Sequence, residues 1–264
     1  MAEPKIKTSK PTRAIFAIHG FSGHPGEMAY LGEGVAKQLG ATLALPTIAG
    51  HASTPEHFGQ TTAEDWYLSI ESAYDELKDR YDEVYVIGNS FGANLALKLA
   101  RHRSLTAIAC ISTPNLTRGQ RLTLKALLAM WRPFVGKYWT KPATGPQATE
   151  QIPDYTQLCY ETIPLHAFHE AIRFAALEMR TEQVREVTAP TIFVQATKDP
   201  LVPVSTAQWF YQTISSPIKK LVAWDDHYHL IVQGKRKVEL VQIVSDWFTA
   251  VAAGKATTSP IVSE

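Results

Sequence analysis

The segment 84–97 constrains the fold of this chain more than any other part of its sequence. It begins with the β-branched and aromatic residues of a buried strand, continues as Gly88-Asn89-Ser90-Phe91-Gly92, and ends in a run rich in alanine and leucine. That order predicts a strand, a tight turn and a buried helix. Glycines at 88 and 92 would let strand and helix approach closely, and the turn would expose the Ser90 hydroxyl. Ser90 is therefore a candidate nucleophile, with an incidental serine in a glycine-rich turn as the competing interpretation.

Length and composition are those of an ordinary globular protein, with 264 residues, 45% hydrophobic residues and 19% charged ones. A net charge of +1 gives no reason to expect nucleic acid or an anionic membrane as partner. The two cysteines show neither a disulfide framework nor metal-ligand spacing. We find no signal peptide and no apolar stretch of membrane-spanning length. The sequence favours a cytoplasmic protein, either a monomer or a small homo-oligomer, without an integral membrane segment.

Strands and helices alternate along most of the chain. Besides the strand before Ser90, apolar runs predict strands at 14–18, 42–45, 105–111, 191–195 and 221–224. Besides the helix after Ser90, helices are predicted at 28–39, from Thr62 to about Arg80, at 205–213 and at 238–251. Gly40 marks the end of the first helix, and Thr61 and Thr62 with Glu64 and Asp65 form a capping-box signature for the second. The alternation predicts an α/β fold with a mostly parallel, doubly wound sheet.

The alternation stops between 114 and 187, where proline-broken helical stretches replace it and no strand is clear. We expect a core of residues 1–113 and 188–254, a helical cap at 114–187, and a disordered tail at 255–264. Such a cap would lie over the carboxyl ends of the strands, where ligands bind in this architecture. Some of its apolar residues would line a pocket while most pack the cap on the core: Leu127, Leu128, Trp131, Phe134, Tyr138 and Trp139.

A nucleophilic serine needs a base within hydrogen-bond reach and a third group that orients the base. Asp199 follows the predicted strand 191–195, and His229 follows the predicted strand 221–224. Because the carboxyl ends of parallel strands share one edge of a sheet, Ser90, Asp199 and His229 are predicted to meet there.

Other residues compete for the roles of Asp199 and His229. His227 lies in the same loop as His229, but among acids, whereas the apolar segment 230–232 follows His229 and could hold its imidazole. Asp225 and Asp226 compete with Asp199, although their closeness to the histidines in sequence makes the far ring nitrogen awkward to reach.

A glycine-rich loop, His19-Gly20-Phe21-Ser22-Gly23, follows the first predicted strand. Backbone N–H groups in such a loop can bind a developing oxyanion, and we predict the N–H groups of Phe21 and Phe91 as the two donors.

With these residues identified, the chain resembles the α/β-hydrolase superfamily, in particular the small bacterial carboxylesterases and monoacylglycerol lipases. The resemblance rests on His19-Gly20-Phe21, Gly50-His51, Asp65-Trp66, the pentapeptide around Ser90, Lys198-Asp199 with Val202-Pro203, and His229-Leu230-Ile231. It implies Ser90 as nucleophile, Asp199 and His229 as its partners, and the amides of Phe21 and Phe91 as oxyanion donors.

This chain departs from those relatives at the serine turn. Their turn often reads Leu-Ser-Met-Gly-Gly, whereas Asn-Ser-Phe-Gly-Ala stands here. Asn89 and the bulkier Phe91 flank the serine, so the acyl pocket is expected to differ. The predicted substrate contacts are Phe21, Asn89, Trp131 and Val202.

Three functional hypotheses follow. The first is a serine esterase for short- to medium-chain acyl esters, with monoglycerides among its candidate substrates and with no metal or organic cofactor. The second keeps the triad but changes the bond, as in a thioesterase, an amidase or a C–C bond hydrolase. The third is a binding protein on the same fold without catalysis.

Overall fold

The structure is a computed structural model that describes residues 12–115, 137–140, 160–259 and 262–263. Its strands are β1 (Arg13–Ile18), β2 (Thr42–Ala44), β3 (Glu83–Asn89), β4 (Ala107–Ile111), β5 (Tyr138–Thr140), β6 (Thr162–Pro164), β7 (Thr191–Ala196), β8 (Lys219–Trp224) and β9 (Val262–Ser263). Its α-helices are α1 (Ala29–Leu39), α2 (Pro55–Phe58), α3 (Ala63–Lys78), α4 (Phe91–His102), α5 (Leu165–Glu178), α6 (Thr181–Arg185), α7 (Val204–Thr213) and α8 (Lys237–Ala252). Short 3-10 turns cover Pro25–Met28 and Ile231–Gln233.

One sheet dominates the fold, with strand order β2-β1-β3-β4-β7-β8-β9 and parallel pairing throughout. This confirms the predicted α/β fold. The strand order reverses between β1 and β3, which are hydrogen-bonded neighbours. Loops after strands on either side of such a reversal diverge and leave a crevice at the carboxyl edge. The loop after β1 carries Phe21, and the turn after β3 carries Ser90.

Two apolar cores cover the two faces of the sheet. Phe16 of β1 packs into the core that contains Trp66 of α3. Its neighbour Ile15 packs into the opposite core, which contains Phe248 of α8. Successive strand residues therefore point to opposite faces and are buried on both. This double burial explains why the strands are continuous apolar runs in the sequence.

The predicted helix ends are largely confirmed. At the start of α3, the Thr62 hydroxyl accepts from the Asp65 N–H while the Asp65 carboxylate accepts from the Thr62 N–H, which is a complete capping box. Helix α1 ends at Gly40, which has the left-handed φ of 63°. The helix predicted at 28–39 begins one residue later, because Pro25–Met28 forms a 3-10 turn. Within the described part of the chain, no helix is both long and apolar enough to cross a membrane.

The segment 114–187 differs from the prediction. The sequence predicts no strand there, yet β5 and β6 pair as a separate antiparallel two-stranded sheet. Each has only three residues, too few for a period-two pattern to be recognised. The helix expected around Phe168 is present as α5. The boundaries of a cap at 114–187 on a core of 1–113 and 188–254 stay a prediction.

Two further features of the structure were not predicted. The segment between the predicted strand 42–45 and the predicted helix at Thr62 contains the short helix α2, which Thr54 caps by accepting from the His57 N–H. The tail, expected to be disordered, adds β9 to the edge of the sheet beside β8. The Ser259 N–H donates to the Lys219 carbonyl at 3.2 Å, so this edge pairing begins before β9. Tail composition alone cannot reveal a strand whose hydrogen bonds all go to a distant partner.

Candidate active site

The turn between β3 and α4 has the strained geometry that its sequence predicts. Ser90 has a positive φ of 51° with ψ of −120°, which is rare for a residue with a side chain. A Cβ at Gly88 would lie 2.5 Å from the Ala93 Cα, and one at Gly92 would lie 2.5 Å from the Ile18 carbonyl oxygen. Backbone atoms cannot yield to such contacts. The two glycines therefore allow the strand, the turn and the helix to pack closely around the serine.

The three predicted partners meet at the carboxyl edge of the sheet. The His229 Nε2 lies 2.9 Å from the Ser90 Oγ, and the His229 Nδ1 lies 2.8 Å from the Asp199 Oδ2. The Asp199 side chain is fully buried, while 10% of the His229 side chain is exposed. One hydrogen-bonded chain thus links a hydroxyl, an imidazole and a carboxylate, and its outer end reaches solvent.

Asp199 is held as a carboxylate by donors on both oxygens. Oδ1 accepts from the N–H groups of Leu201 (2.8 Å) and Val202 (3.0 Å), and Oδ2 also accepts from the Gln195 Nε2 at 2.9 Å. Burial raises the pKa of Asp199, but the hydrogen bond and charge of His229 and the two backbone N–H groups outweigh it and lower the pKa below the usual value. An ionised Asp199 requires a proton on the His229 Nδ1, which leaves Nε2 free to accept from Ser90.

The loop that carries His229 is anchored at several points. The His229 carbonyl accepts from the Ser112 hydroxyl at 2.7 Å, directly after β4. The apolar segment 230–232 is buried, as its proposed anchoring role requires. His227, by contrast, has 66% of its side chain exposed. Asp225 is equally exposed and bonds Lys198 at 2.9 Å, while Asp226 accepts from the His227 N–H at 2.6 Å.

The loop after β1 has a fixed peptide orientation at Gly20–Phe21. The Gly20 carbonyl accepts from the Gly23 N–H at 3.1 Å and lies 3.0 Å from the His19 Nδ1. Burial lowers the pKa of His19 to about 4, so its ring is neutral, donating from Nδ1 and accepting the Ile48 N–H at Nε2. Because a trans peptide directs its C=O and N–H to opposite sides, the Phe21 N–H points away from these donors.

The second predicted oxyanion donor lies at a helix terminus. Phe91 is the first residue of α4, so its N–H has no acceptor within the helix and lies at the positive end of the helix dipole. This N–H is available to a negatively charged group beside Ser90.

Aromatic side chains form a wall around Phe21. Its ring centroid lies 5.4 Å from that of Phe58, 6.0 Å from Trp66 and 6.1 Å from Phe91. The ring of Phe168 on α5 also approaches that of Phe21, at 5.4 Å. The wall therefore combines Phe21, in the loop after β1, with rings from helices α2, α3, α4 and α5.

Ionic contacts hold α5 against the rest of this wall. The Glu170 carboxylate accepts from the Ala63 N–H at 2.9 Å, at the N-terminus of α3. Lys98 of α4 is buried between Glu64 at 3.2 Å and Glu178 at 3.3 Å. Helix α5 is thus a fixed part of the site's surroundings.

Comparison with known proteins identifies the family of this chain. The family described as Serine aminopeptidase, S33 (Hydrolase_4) matches residues 9–235. The chain belongs to this family. It is an α/β-hydrolase, and an enzyme of the serine hydrolase kind.

Named relatives of this S33-family hydrolase include two bacterial enzymes. It is 29% identical over 234 residues to a thermostable monoacylglycerol lipase of Bacillus sp. (strain H-257), covering 87% of each chain. It is 24% identical over 243 residues to a carboxylesterase of Bacillus subtilis (strain 168), covering 88% of this chain and 93% of that one. A solved structure reported with the metagenome-derived lipolytic enzymes LipS and LipT superposes with a TM-score of 0.77 at 25% identity, covering 91% and 95% of the two chains.

The four predicted substrate contacts of this S33-family hydrolase lie in different surroundings. Phe21 lies within the aromatic wall, while Trp131 falls outside the described residues. Val202 is almost buried, and its contact with substrate stays a prediction. Asn89 needs a correction: it is fully buried and its amide donates to Glu27, so it has no surface with which to touch substrate in this conformation.

Sequence reasoning missed the residues that support the catalytic groups. Gln195 and Ser112 each make a side-chain hydrogen bond to the acid–histidine pair, and each lies at or just beyond the end of a buried strand. A polar residue ending an apolar strand is the signal that could have identified them. Among the described residues, no three His, Cys, Asp or Glu side chains gather as a metal site would require.

Proposed function

We propose that this S33-family enzyme hydrolyses carboxylic esters with short- to medium-chain acyl groups, monoglycerides included, through Ser90, His229 and Asp199. The observation that carries the proposal is the hydrogen-bonded chain from the Ser90 Oγ through the His229 imidazole to the Asp199 carboxylate, at 2.9 and 2.8 Å. The names of the bacterial relatives, a monoacylglycerol lipase and a carboxylesterase, support the ester as the scissile group.

In the acylation step, Ser90 attacks the ester carbonyl carbon. The His229 Nε2 takes the hydroxyl proton as the Oγ–C bond forms, and the carbonyl oxygen becomes an oxyanion. The N–H groups of Phe21 and Phe91 stabilise that oxyanion, each contributing about 3 kcal/mol in comparable sites. The tetrahedral intermediate then collapses, the C–O bond to the alcohol breaks, and His229 gives the proton to the departing alkoxide.

In the deacylation step, water attacks the acyl-serine by the same route. His229 accepts the water proton, the same two amides hold the second oxyanion, and the proton returns to the Ser90 Oγ as the acid leaves. Asp199 stays ionised throughout and stabilises the imidazolium that forms twice per turnover.

The surroundings favour an apolar acyl group. Phe21 and Phe168 are the partly exposed rings of the aromatic wall beside the proposed oxyanion loop, and the buried rings of Phe58, Trp66 and Phe91 support Phe21 from behind. Such a wall binds hydrocarbon by removing it from water and offers few polar groups to a charged acyl chain.

Amide hydrolysis is the second candidate, because the matching family is described as a serine aminopeptidase. Ester and amide hydrolysis share every step above, except that the leaving group of an amide must be protonated as an amine. A panel of p-nitrophenyl esters of increasing chain length, monoglycerides, thioesters, β-diketones and aminoacyl-p-nitroanilides at equal concentration separates these reactions. We expect the highest kcat/KM on butyrate to octanoate esters; a higher value on the anilides would replace the ester assignment.

The role of Ser90 is tested with Ser90→Ala and a matched control, Ser205→Ala on the exposed face of α7. Ser90→Ala should abolish hydrolysis of p-nitrophenyl butyrate and labelling by a fluorophosphonate, with an almost unchanged melting temperature. Ser205→Ala should keep both. Turnover by a folded Ser90→Ala protein would refute the proposal.

A further inference from the structure

A buried glutamate outside the triad connects the two loops that carry the proposed oxyanion donors. Glu27 lies in the 3-10 turn Pro25–Met28 and is only 5% exposed. Carboxylates are rarely buried unless other groups compensate the lost hydration, so a specific set of donors is expected around it. Its Oε1 accepts from the Gly20 N–H at 3.3 Å and from the Asn89 side-chain amide.

Both donors stand next to a proposed catalytic group. Gly20 directly precedes Phe21, and Asn89 directly precedes Ser90. Their strands, β1 and β3, are neighbours at the reversal of strand order. One carboxylate oxygen therefore joins the loop that carries the first oxyanion donor to the turn that carries the nucleophile and the second donor.

The loop after β1 is shaped around this carboxylate. A Cβ at Gly23 would overlap the Glu27 Oε2, and a Cβ at Gly20 would touch Oε1 at 3.4 Å. The Gly20 carbonyl is already fixed by Gly23 and His19. With its N–H bound by Glu27, Gly20 is restrained through both of its backbone polar groups, and so is the direction of the Phe21 N–H.

The amide of Asn89 gives a second, independent observation. Within the described residues its Oδ1 is buried without a hydrogen-bond partner, which costs free energy that an apolar side chain would not incur. Among the described residues, its side chain makes a single hydrogen bond, the donation to Glu27. The hydrogen bond to Glu27 therefore explains why an asparagine, and not an apolar residue, stands at position 89.

We infer that Glu27, through Gly20 and Asn89, is a positioning residue that sets the separation of the two oxyanion donors. This inference rests on the proposed function. A positioning role of this kind acts on the transition state, because the oxyanion exists only there, whereas the bound ester needs no precise donor spacing. Misplacement of a catalytic group by about 1 Å can reduce the rate about a hundredfold.

The test uses Glu27→Met, which removes the acceptor, Glu27→Gln, which keeps one acceptor oxygen, and Asn89→Leu, which removes the donor. Glu33→Met, an exposed glutamate of α1, is the matched control. For Glu27→Met and Asn89→Leu we expect kcat for p-nitrophenyl butyrate to fall ten- to a hundredfold with KM changed less than threefold. The inhibition constant of an alkyl boronic acid, which mimics the tetrahedral intermediate, should rise in the same proportion.

Glu27→Gln should recover at least a third of the wild-type kcat, and Glu33→Met should equal wild type. A folded Glu27→Met or Asn89→Leu enzyme with wild-type kcat would overturn the inference, and so would a change in KM that accounts for the whole loss. If Glu27→Met does not fold, Asn89→Leu alone decides by the same measures. Failure of the proposed function has a different signature, namely turnover that survives in Ser90→Ala.

Discussion

The two halves of the site are held in place by different physical means. The nucleophile half, at the turn after β3, depends mainly on backbone sterics: Gly88 and Gly92 permit contacts that no side chain could, and Ser90 adopts a positive φ. The acid–histidine half, after β7 and β8, depends on side-chain hydrogen bonds, from Gln195 to Asp199 and from Ser112 to the His229 carbonyl.

This difference predicts how each half responds to mutation. Steric constraints fail abruptly, because backbone atoms cannot move aside without loss of the fold. Hydrogen-bond supports fail gradually, since each contributes about 1 kcal/mol and others remain. Changes at the glycines of the nucleophile turn should therefore affect folding as well as activity, whereas changes at the hydrogen-bonding side chains of the other half should affect mainly activity.

The largest effect is expected for Gly92→Ala. Its Cβ would lie 2.5 Å from the Ile18 carbonyl oxygen and closer still to that of His19. We expect a loss of about 4 kcal/mol or more in the free energy of unfolding, with loss of activity. Urea unfolding measures it. Gly40→Ala is the matched control, because its φ of 63° is strained but no atom beyond its chain neighbours lies within 4 Å of the new Cβ, so it should cost about 1–2 kcal/mol. Equal losses in the free energy of unfolding for Gly92→Ala and Gly40→Ala would show that the close backbone contacts are not the cause.

The next effect is expected for Asp199→Asn, which tests the other half. The new asparagine amide can donate to the His229 Nδ1, which would place the ring proton on Nε2, where it prevents acceptance from Ser90. In comparable triads this change lowers kcat about 10⁴-fold without loss of structure. We expect a fall of about 10³–10⁴ in kcat on p-nitrophenyl butyrate and a nearly unchanged melting temperature. Asp225→Asn, the exposed rival bonded to Lys198, should keep wild-type activity. A large fall in kcat for Asp225→Asn with a small fall for Asp199→Asn would show that Asp225, and not Asp199, orients His229.

The same contrast explains what the sequence could predict. Features determined within a short segment leave local marks: the glycines around Ser90, Gly40 at the end of α1 and the hydrogen-bonded Thr62–Asp65 box can all be recognised in the sequence, and all are present in the structure. Asp199 and His229 were found through chain order and through their position after strands. Hydrogen bonds between distant residues leave no local mark.

The features that the sequence analysis failed to predict have the same physical cause. Asn89 reads as a side chain beside the nucleophile, yet it is buried against Glu27, 62 positions away in the sequence. Strands β5, β6 and β9 are two or three residues long and are defined only by their partners. Both kinds of feature depend on which residues become neighbours after folding, which local patterns do not encode.

A third, smaller effect concerns the response of the fold to acid near the loop after β1. Burial lowers the pKa of His51, which packs on Phe58 beneath the oxyanion loop, to about 3 from an ordinary 6.5. Below pH 6.5 the unfolded chain binds this proton and the folded chain does not, so stability falls as the pH falls. At pH 4 the loss from this group is about 3 kcal/mol. His51→Phe should lose correspondingly less stability than wild type between pH 7 and pH 4 in urea unfolding. His166→Phe, at an exposed position, is the control, and equal behaviour of both variants would contradict the assignment.

The smallest effect is expected for Gln195→Met, a change of similar shape that removes the amide. Gln195 donates to the Asp199 Oδ2 at 2.9 Å and to the Val202 carbonyl at 2.9 Å. Asp199 would keep its two backbone donors and His229, so the carboxylate should stay ionised but turn more freely. We expect kcat to fall about tenfold, which corresponds to about 1.4 kcal/mol of transition-state stabilisation.

The matched control for Gln195→Met is Gln242→Met, because Gln242 also donates to an aspartate, at 2.7 Å, but on the exposed face of α8. It should leave kcat unchanged. If Gln195→Met instead lowers the free energy of unfolding by as much as Gly92→Ala does, the acid–histidine half is as sterically constrained as the nucleophile half. The contrast would then disappear, since both halves would depend on close packing. A loss confined to kcat keeps the two mechanisms distinct: backbone packing forms the nucleophile turn, and replaceable hydrogen bonds orient its partners.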